Sequence, residues 1–381
     1  MKAFKNALVY IEGEGLQRTN VLFDEKIVSL GGEIGEAEVL PLPEDAVVLP
    51  GFIAQHIHGA GGSDAMDGTQ EDLKIIAETV AKEGTTGFLA TTMTQSKENI
   101  VKALTAVKEY REKDPETGAK ILGVHLEGPF IAAAHKGAQP LEYVAKPDTA
   151  VFDEYYKASG ESIKIVTLAP EEDGAEKLVE HLSALGVVPS MGHTGAKSAD
   201  IRKAIKKGAK NITHTYNAQS PLHHREIGTV GSALLYDELN AELICDTIHV
   251  SVPAMQLLTK CKPAGKLSLI TDAMRAKGLQ DGVSELGGQV VIVKNGEARL
   301  QDGTLAGSVL RMNRAIQNMV EKVGMPLLKA VDFATINPAR LLGIDGEKGS
   351  IREGKSADFA VLNGKFDVVC TVREGKIIYK A

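Results

Sequence analysis

Cysteine is nearly absent. Cys245, Cys261 and Cys370 are the three in 381 residues, an odd and widely spaced set that offers neither a disulfide framework nor a thiolate zinc site. Long apolar runs are absent too: no stretch approaches the roughly 20 residues needed to span a bilayer. The opening MKAFKNALVYIEGEG returns to charge too soon for a secretory leader, so a cytoplasmic location is expected. Positive charge is in deficit. The formal net charge of -7 argues against a nucleic-acid partner, which usually meets a basic face, while leaving room for a local basic pocket. Internal repeats and low-complexity tracts are missing as well.

What is present is alternation. Residues 1 to about 45 read as short strands broken by glycine turns, a β-meander. From Val47 eight apolar runs follow: 47–58, 84–93, 119–129, 163–170, 186–193, 211–217, 241–250 and 267–274. Amphipathic segments such as QEDLKIIAETVAKEG and AKSADIRKAIKKG lie between them. Strand and helix in alternation predict a parallel sheet, and eight units predict closure into a TIM-like (β/α)8 barrel. After Asp272, Asn295-Gly296 signals a hairpin, two helical segments follow, and the last stretch returns to strand. Both terminal β segments are expected to form one small β domain, dividing the chain into 1–48, 49–345 and 346–381.

The runs end in chemistry. His56 and His58 close the first; with the period-2 geometry of a strand, both aim to one face. His125 and Glu127 repeat that spacing on the third run. His193 and His214 sit at the ends of the fifth and sixth, His249 follows the seventh, and Asp272 ends the eighth. A parallel barrel gathers its catalytic groups from the C-terminal ends of different strands, so residues this far apart in sequence can meet. Imidazole and carboxylate suit zinc, iron or manganese, and two to five of these ligands would leave a position for water. The order HxH, ExG, His, His, Asp points to a metal-dependent hydrolase. His135, His181, His223 and His224 stand outside the pattern, and His125 is read as packing or hydrogen-bonding as readily as ligating.

GSIREGKS, residues 349–356, matches the Walker A pattern letter for letter. That loop needs a strand before it and a helix after it to cradle phosphate. Here the order is reversed, so the segment is expected to be a turn of the small β domain.

The motifs PGFIAQHIHG, HLEGPF, GHT, HTYNA, DTIHV, TDAM and LAGS together resemble the amidohydrolase superfamily and, within it, the N-acetylglucosamine-6-phosphate deacetylase family, over essentially the whole chain. The resemblance implies hydrolysis of the acetamide of N-acetylglucosamine 6-phosphate to glucosamine 6-phosphate and acetate. It implies that Glu127, His193 and His214 hold the principal divalent metal, with His56 and His58 present for a second ion bridged by Glu127. One or two ions per subunit are thus implied, zinc first, with iron or manganese as alternatives. No lysine ends a barrel strand where a carbamylated bridge would sit. Asp272 would be the general base and acid, and His249 would bind the sugar or the acetyl carbonyl. Asn217 and Ala218 would contact phosphate or sugar. Ala138, Leu305, Ala306 and Gly307 match substrate-contact positions, and Gln139 stands where some members carry histidine. Arg225 would bind phosphate, reaching into a neighbouring subunit of a homodimer. Other amidohydrolase chemistries, such as N-acyl-amino-acid deacylation or cyclic amide hydrolysis, would share the metal site without needing Arg225. A non-catalytic scaffold on the same fold is the remaining alternative.

Overall fold

The computed structural model describes all 381 residues. Eight parallel strands form the barrel: Phe52–Ile57, Thr85–Thr92, Lys120–Glu127, Ile163–Leu168, Val188–Met191, Asn211–Ile212, Asn240–Ile244 and Leu267–Ile270. They are called the first to eighth barrel strands below, and they pair in sequence order. Every residue of the second is buried, as expected when helices cover one face of a parallel sheet and the barrel interior the other. The seam between first and eighth strands closes at their C-terminal ends. His58 and Gly59 N–H donate to Ala273 O at 2.9 and 3.0 Å, and Asp272 N–H donates to His56 O at 3.1 Å. The backbone that closes the barrel is therefore the backbone that carries three of the expected site residues.

Helices between strands begin where the sequence caps them. Thr69 accepts from Asp72 N–H ahead of Gln70–Ala81, and Asp148 accepts from Ala150 and Val151 N–H ahead of Thr149–Ala158. Such caps satisfy amide groups that the helix itself cannot.

The terminal segments share one sheet, in the order Lys376–Lys380, Val368–Arg373, Phe359–Leu362, Val47–Pro50, Lys2–Ile11, Gly15–Phe23, Ile27–Leu30. Phe359, from the C-terminal part, packs its ring 5.4 Å from Phe4 and 5.0 Å from Phe23, so one apolar core needs both ends of the chain.

Two expectations require correction. The run 47–58 is not one strand. Val47–Pro50 pairs with Lys2–Ile11 and Phe359–Leu362 in the terminal sheet, whereas Phe52–Ile57 pairs with the second barrel strand. The switch falls at Pro50-Gly51: the strand changes sheets where Gly51 packs so tightly on Thr86 that no Cβ would fit. The helical segment after Pro326 is also two pieces, Leu327–Asp332 and Ile336–Leu341, parted at Thr335, whose φ of -133° is not helical.

The Asn295-Gly296 turn is present, with φ of 53° and 81°, the left-handed pair a tight hairpin needs. It belongs to a separate three-stranded sheet, Gly282–Leu286, Gln289–Lys294 and Glu297–Leu300, inserted after the eighth barrel strand. Gln289 Nε2 ties this sheet to Ala138 O at 2.6 Å. The Walker-like segment lies in the terminal sheet, where Ile351 bridges Ile11. Its Lys355 is buried, 3.3 Å from Glu12, so its ammonium is already spent on an internal carboxylate.

Candidate active site

Three turns at the strand ends deliver the central residues, and all three are wound left-handed: φ is 49° at His193, 30° at His214 and 47° at Asp272. Outside glycine such backbone costs about 1–3 kcal/mol each and persists where the surroundings enforce it. The result is convergence. Glu127 Oε1 stands 3.1 Å from His214 Nε2 and 3.4 Å from His193 Nε2, and the two imidazole nitrogens lie 3.0 Å from each other. On the other side, His58 Nε2 is 3.2 Å from both Glu127 Oε2 and Asp272 Oδ1. His56 Nε2 is 3.4 Å from Glu127 and 3.3 Å from Asp272. Glu127 thus faces two histidine pairs at once.

The lone pairs point inward. His193 Nδ1 lies 2.9 Å from His135 O, a carbonyl that only accepts, so Nδ1 carries the proton and Nε2 is bare. His56 Nδ1 lies 3.0 Å from the Glu242 carboxylate, which likewise only accepts, so Nδ1 carries a proton and Nε2 is the nitrogen that faces the cluster. That buried Nε2 has no hydrogen-bond partner. Imidazole nitrogens and carboxylate oxygens gathered in a buried space, one of them without a partner, fit a divalent cation. Glu127, His193 and His214 form one group of suitable geometry, and His56, His58 and Asp272 another.

His125 does not join them. Its Nε2 is 2.7 Å from Thr167 Oγ1 and its Nδ1 3.2 Å from Gln55 O. Burial, and then the neighbouring His56, push its pKa down to about 3, so it is a neutral packing residue. For Asp272, burial favours the neutral acid, but His56 and His58 outweigh it and hold the pKa near about 2. The side chain is a carboxylate, the form a base requires.

A cavity of about 320 Å³ opens above this cluster, lined by His58, Glu127, His193, His214, His249 and Asp272, with Ala138, Asn217, Ala218, Leu305 and Gly307 around them. Ala306 is fully buried behind its neighbours. Arg225 does not line this cavity; it sits exposed on the loop after the sixth strand, donating to His224 Nε2 at 2.8 Å.

The chain belongs to the amidohydrolase family. The model of that family matches residues 47–378, from the strand that precedes the barrel into the last strand. Among amidohydrolases the chain is similar to N-acetylglucosamine-6-phosphate deacetylase of Bacillus subtilis (strain 168), 45% identical over 339 residues that span 88% of this chain and 86% of that one. It is also similar to N-acetylgalactosamine-6-phosphate deacetylase of Escherichia coli O157:H7, 36% identical over 351 residues, 91% of this chain and 93% of that one. In structure it resembles a mutant N-acetyl-D-glucosamine-6-phosphate deacetylase from Mycobacterium smegmatis solved in complex with N-acetyl-D-glucosamine-6-phosphate. The TM-score is 0.92 at 30% identity, covering 100% of this chain and 99% of that one.

Sequence reasoning missed three contributors to this amidohydrolase site, Asp246, His135 and Glu242, and named Gln139 as a substrate-contact position without its tie to Glu127. Gln139 Nε2 donates to Glu127 Oε2 at 2.7 Å while its Oε1 accepts from Thr94 N–H at 2.8 Å. Asp246 Oδ2 holds His249 Nδ1 at 2.6 Å. His135 lines the cavity and fixes His193. Glu242 lies beneath the cluster and holds His56. Only Glu242 left a trace, as a charge in the middle of the apolar run NAELICD.

Proposed function

We propose that the chain hydrolyses the acetamide of N-acetylglucosamine 6-phosphate, releasing glucosamine 6-phosphate and acetate. The observation that carries this reading is Asp272, a carboxyl group lining a cavity of about 320 Å³, beside a cluster of imidazoles and a carboxylate whose geometry fits a divalent metal. Glu127, His193 and His214 would hold the principal ion, and His56 and His58, with Glu127 between, a second; zinc suits these donors. A bound divalent ion supplies Lewis acidity, polarising the carbonyl and bringing the pKa of its water toward about 7.

The remaining work falls to the chain. Asp272 takes the proton of the attacking water and returns it to the leaving nitrogen, a service typically worth about 10²- to 10⁴-fold in rate. His249, its Nδ1 occupied by Asp246, turns Nε2 to the sugar or the acetyl carbonyl. Asn217 and Ala218 meet the sugar phosphate, and Ala138, Leu305 and Gly307 complete the cavity wall, with Ala306 packed behind.

Arg225 lies away from its own cavity, and Leu222 beside it is 49% exposed. This supports a homodimer in which Arg225 completes the neighbour's phosphate site, where its planar fork suits phosphate oxygens. Three free cysteines, Cys245 and Cys370 buried and Cys261 exposed, suit a reducing cytoplasm, and no helix is long and apolar enough to cross a membrane.

The Escherichia coli relative named for the galactose epimer favours a second reading, N-acetylgalactosamine 6-phosphate as substrate. Steady-state acetate release from the two epimers separates them: a kcat/KM at least tenfold higher for the glucose epimer is expected, and the reverse order contradicts the assignment.

A further inference from the structure

Glu242 is fully buried within the barrel, in the middle of the seventh strand. Four donors surround its two oxygens. Gln55 Nε2 and Asn211 Nδ2 donate to Oε1 at 2.7 and 3.0 Å. His56 Nδ1 and the backbone N–H of His214 approach Oε2 at 3.0 and 3.2 Å. A carboxylate has about four lone-pair positions, and here each has a donor, so Glu242 has none left for an ion. His56, His125 and Glu242 lie close enough to resemble a third metal group, but His125 has both nitrogens engaged and Glu242 is saturated.

We infer that Glu242 is the positioning residue that couples the two halves of the metal cluster. Through one oxygen it holds the side chain of His56, which serves the His56–His58 half, and the backbone of His214, which serves the Glu127–His193–His214 half. Its hold on His56 fixes a proton on Nδ1 and turns Nε2 toward Glu127 and Asp272. Its hold on the His214 amide pins a turn whose φ of 30° an unrestrained histidine avoids. Gln55 and Asn211 keep the carboxylate itself from rotating. The inference rests on the proposed metal site and adds a residue that touches neither metal nor substrate. Because all four neighbours donate, an amide cannot replace the carboxylate: one of its ends would turn an NH2 toward donors.

The test uses the full-length chain loaded with zinc, wild type and Glu242→Gln. Zinc affinity is measured by chelator competition, and histidine tautomers by ¹⁵N NMR. The wild type is expected to show His56 protonated on Nδ1 and ligating through Nε2. The variant is expected to bind zinc about 10- to 100-fold more weakly, the usual cost of removing such an outer partner, with a mixed His56 tautomer. A variant that folds and keeps wild-type zinc affinity overturns the inference. So does a wild-type His56 protonated on Nε2, which decides the matter even if the variant fails to fold. A wild type that binds no zinc at all refutes instead the metal site on which the inference stands.

Discussion

Gln139 and Glu127 share a 2.7 Å hydrogen bond in which the amide donates to the oxygen facing His58. The other end of the same amide accepts from Thr94 N–H, so Gln139 clamps the Glu127 carboxylate to the chain just past the second barrel strand. In Gln139→Leu both Thr94 N–H and one lobe of Glu127 lose their partner inside the protein. Leaving a buried polar group unpaired costs about 1–3 kcal/mol. Urea unfolding of the metal-free variant should show a loss of that size; a midpoint equal to wild type would mean that the clamp contributes nothing.

Asp272 is expected to matter for turnover and not for retention of metal. Asp272→Asn keeps an oxygen near His56 and His58 but has no carboxylate to take a proton. The variant should hold as much metal as wild type and lose about 10²- to 10⁴-fold in kcat. Metal content and single-turnover rate measured on the same sample check this, and full turnover with full metal would remove Asp272 from the role of base.

Removal of metal should be felt in stability as well as in rate. The folded site binds the ion and the unfolded chain does not, so an ion at 100 times its dissociation constant adds about 2.7 kcal/mol. Chelation should lower Tm and abolish amide hydrolysis together, and restoring zinc should recover both. A Tm indifferent to chelation would argue that no ion is held by these residues.

Lys262 supplies a pH dependence far from the metal. Burial drives its pKa down from 10.5 to about 8, although its Nζ still donates to Tyr236 O at 2.8 Å. Between about pH 8 and 10.5 the unfolded chain holds this proton and the folded chain does not, so stability from this group rises with pH across that window. Below pH 8 the penalty of the buried charge is present in full. Relative to Lys262→Met, wild type should gain stability from pH 8 to 10, read as the difference in urea midpoints. A difference that stays flat over that range would place the ammonium in solvent.

The barrel was legible because parallel strands covered on both faces read as apolar runs, and because several runs ended in a residue foreign to them, such as His58, Glu127 or Asp272. The partners that set those residues in place were not. Glu242 gathers donors from Gln55 and His56 on the first strand and from Asn211 and His214 at the sixth, 28 to 187 positions away, and no local spacing encodes that. Gln139 sits in a loop whose sequence gives no sign that it reaches back to Glu127. The change of sheet at Pro50-Gly51 was hidden because apolar residues continue through it; only the packing of Gly51 on Thr86 marks the corner. Arg225 is the reverse case: its loop was rightly located after the sixth strand, but position along the chain does not tell which cavity an exposed side chain serves.

The central claim is metal-dependent deacetylation of a phosphorylated amino sugar. Its most direct test is amine release from N-acetylglucosamine 6-phosphate, with unphosphorylated N-acetylglucosamine alongside, before and after chelation. Release confined to the phosphorylated sugar, lost on chelation and restored by zinc, is the predicted result. Equal release from both sugars would remove Asn217 and Arg225 from phosphate binding, and no release from either, with metal bound, would contradict the assignment itself.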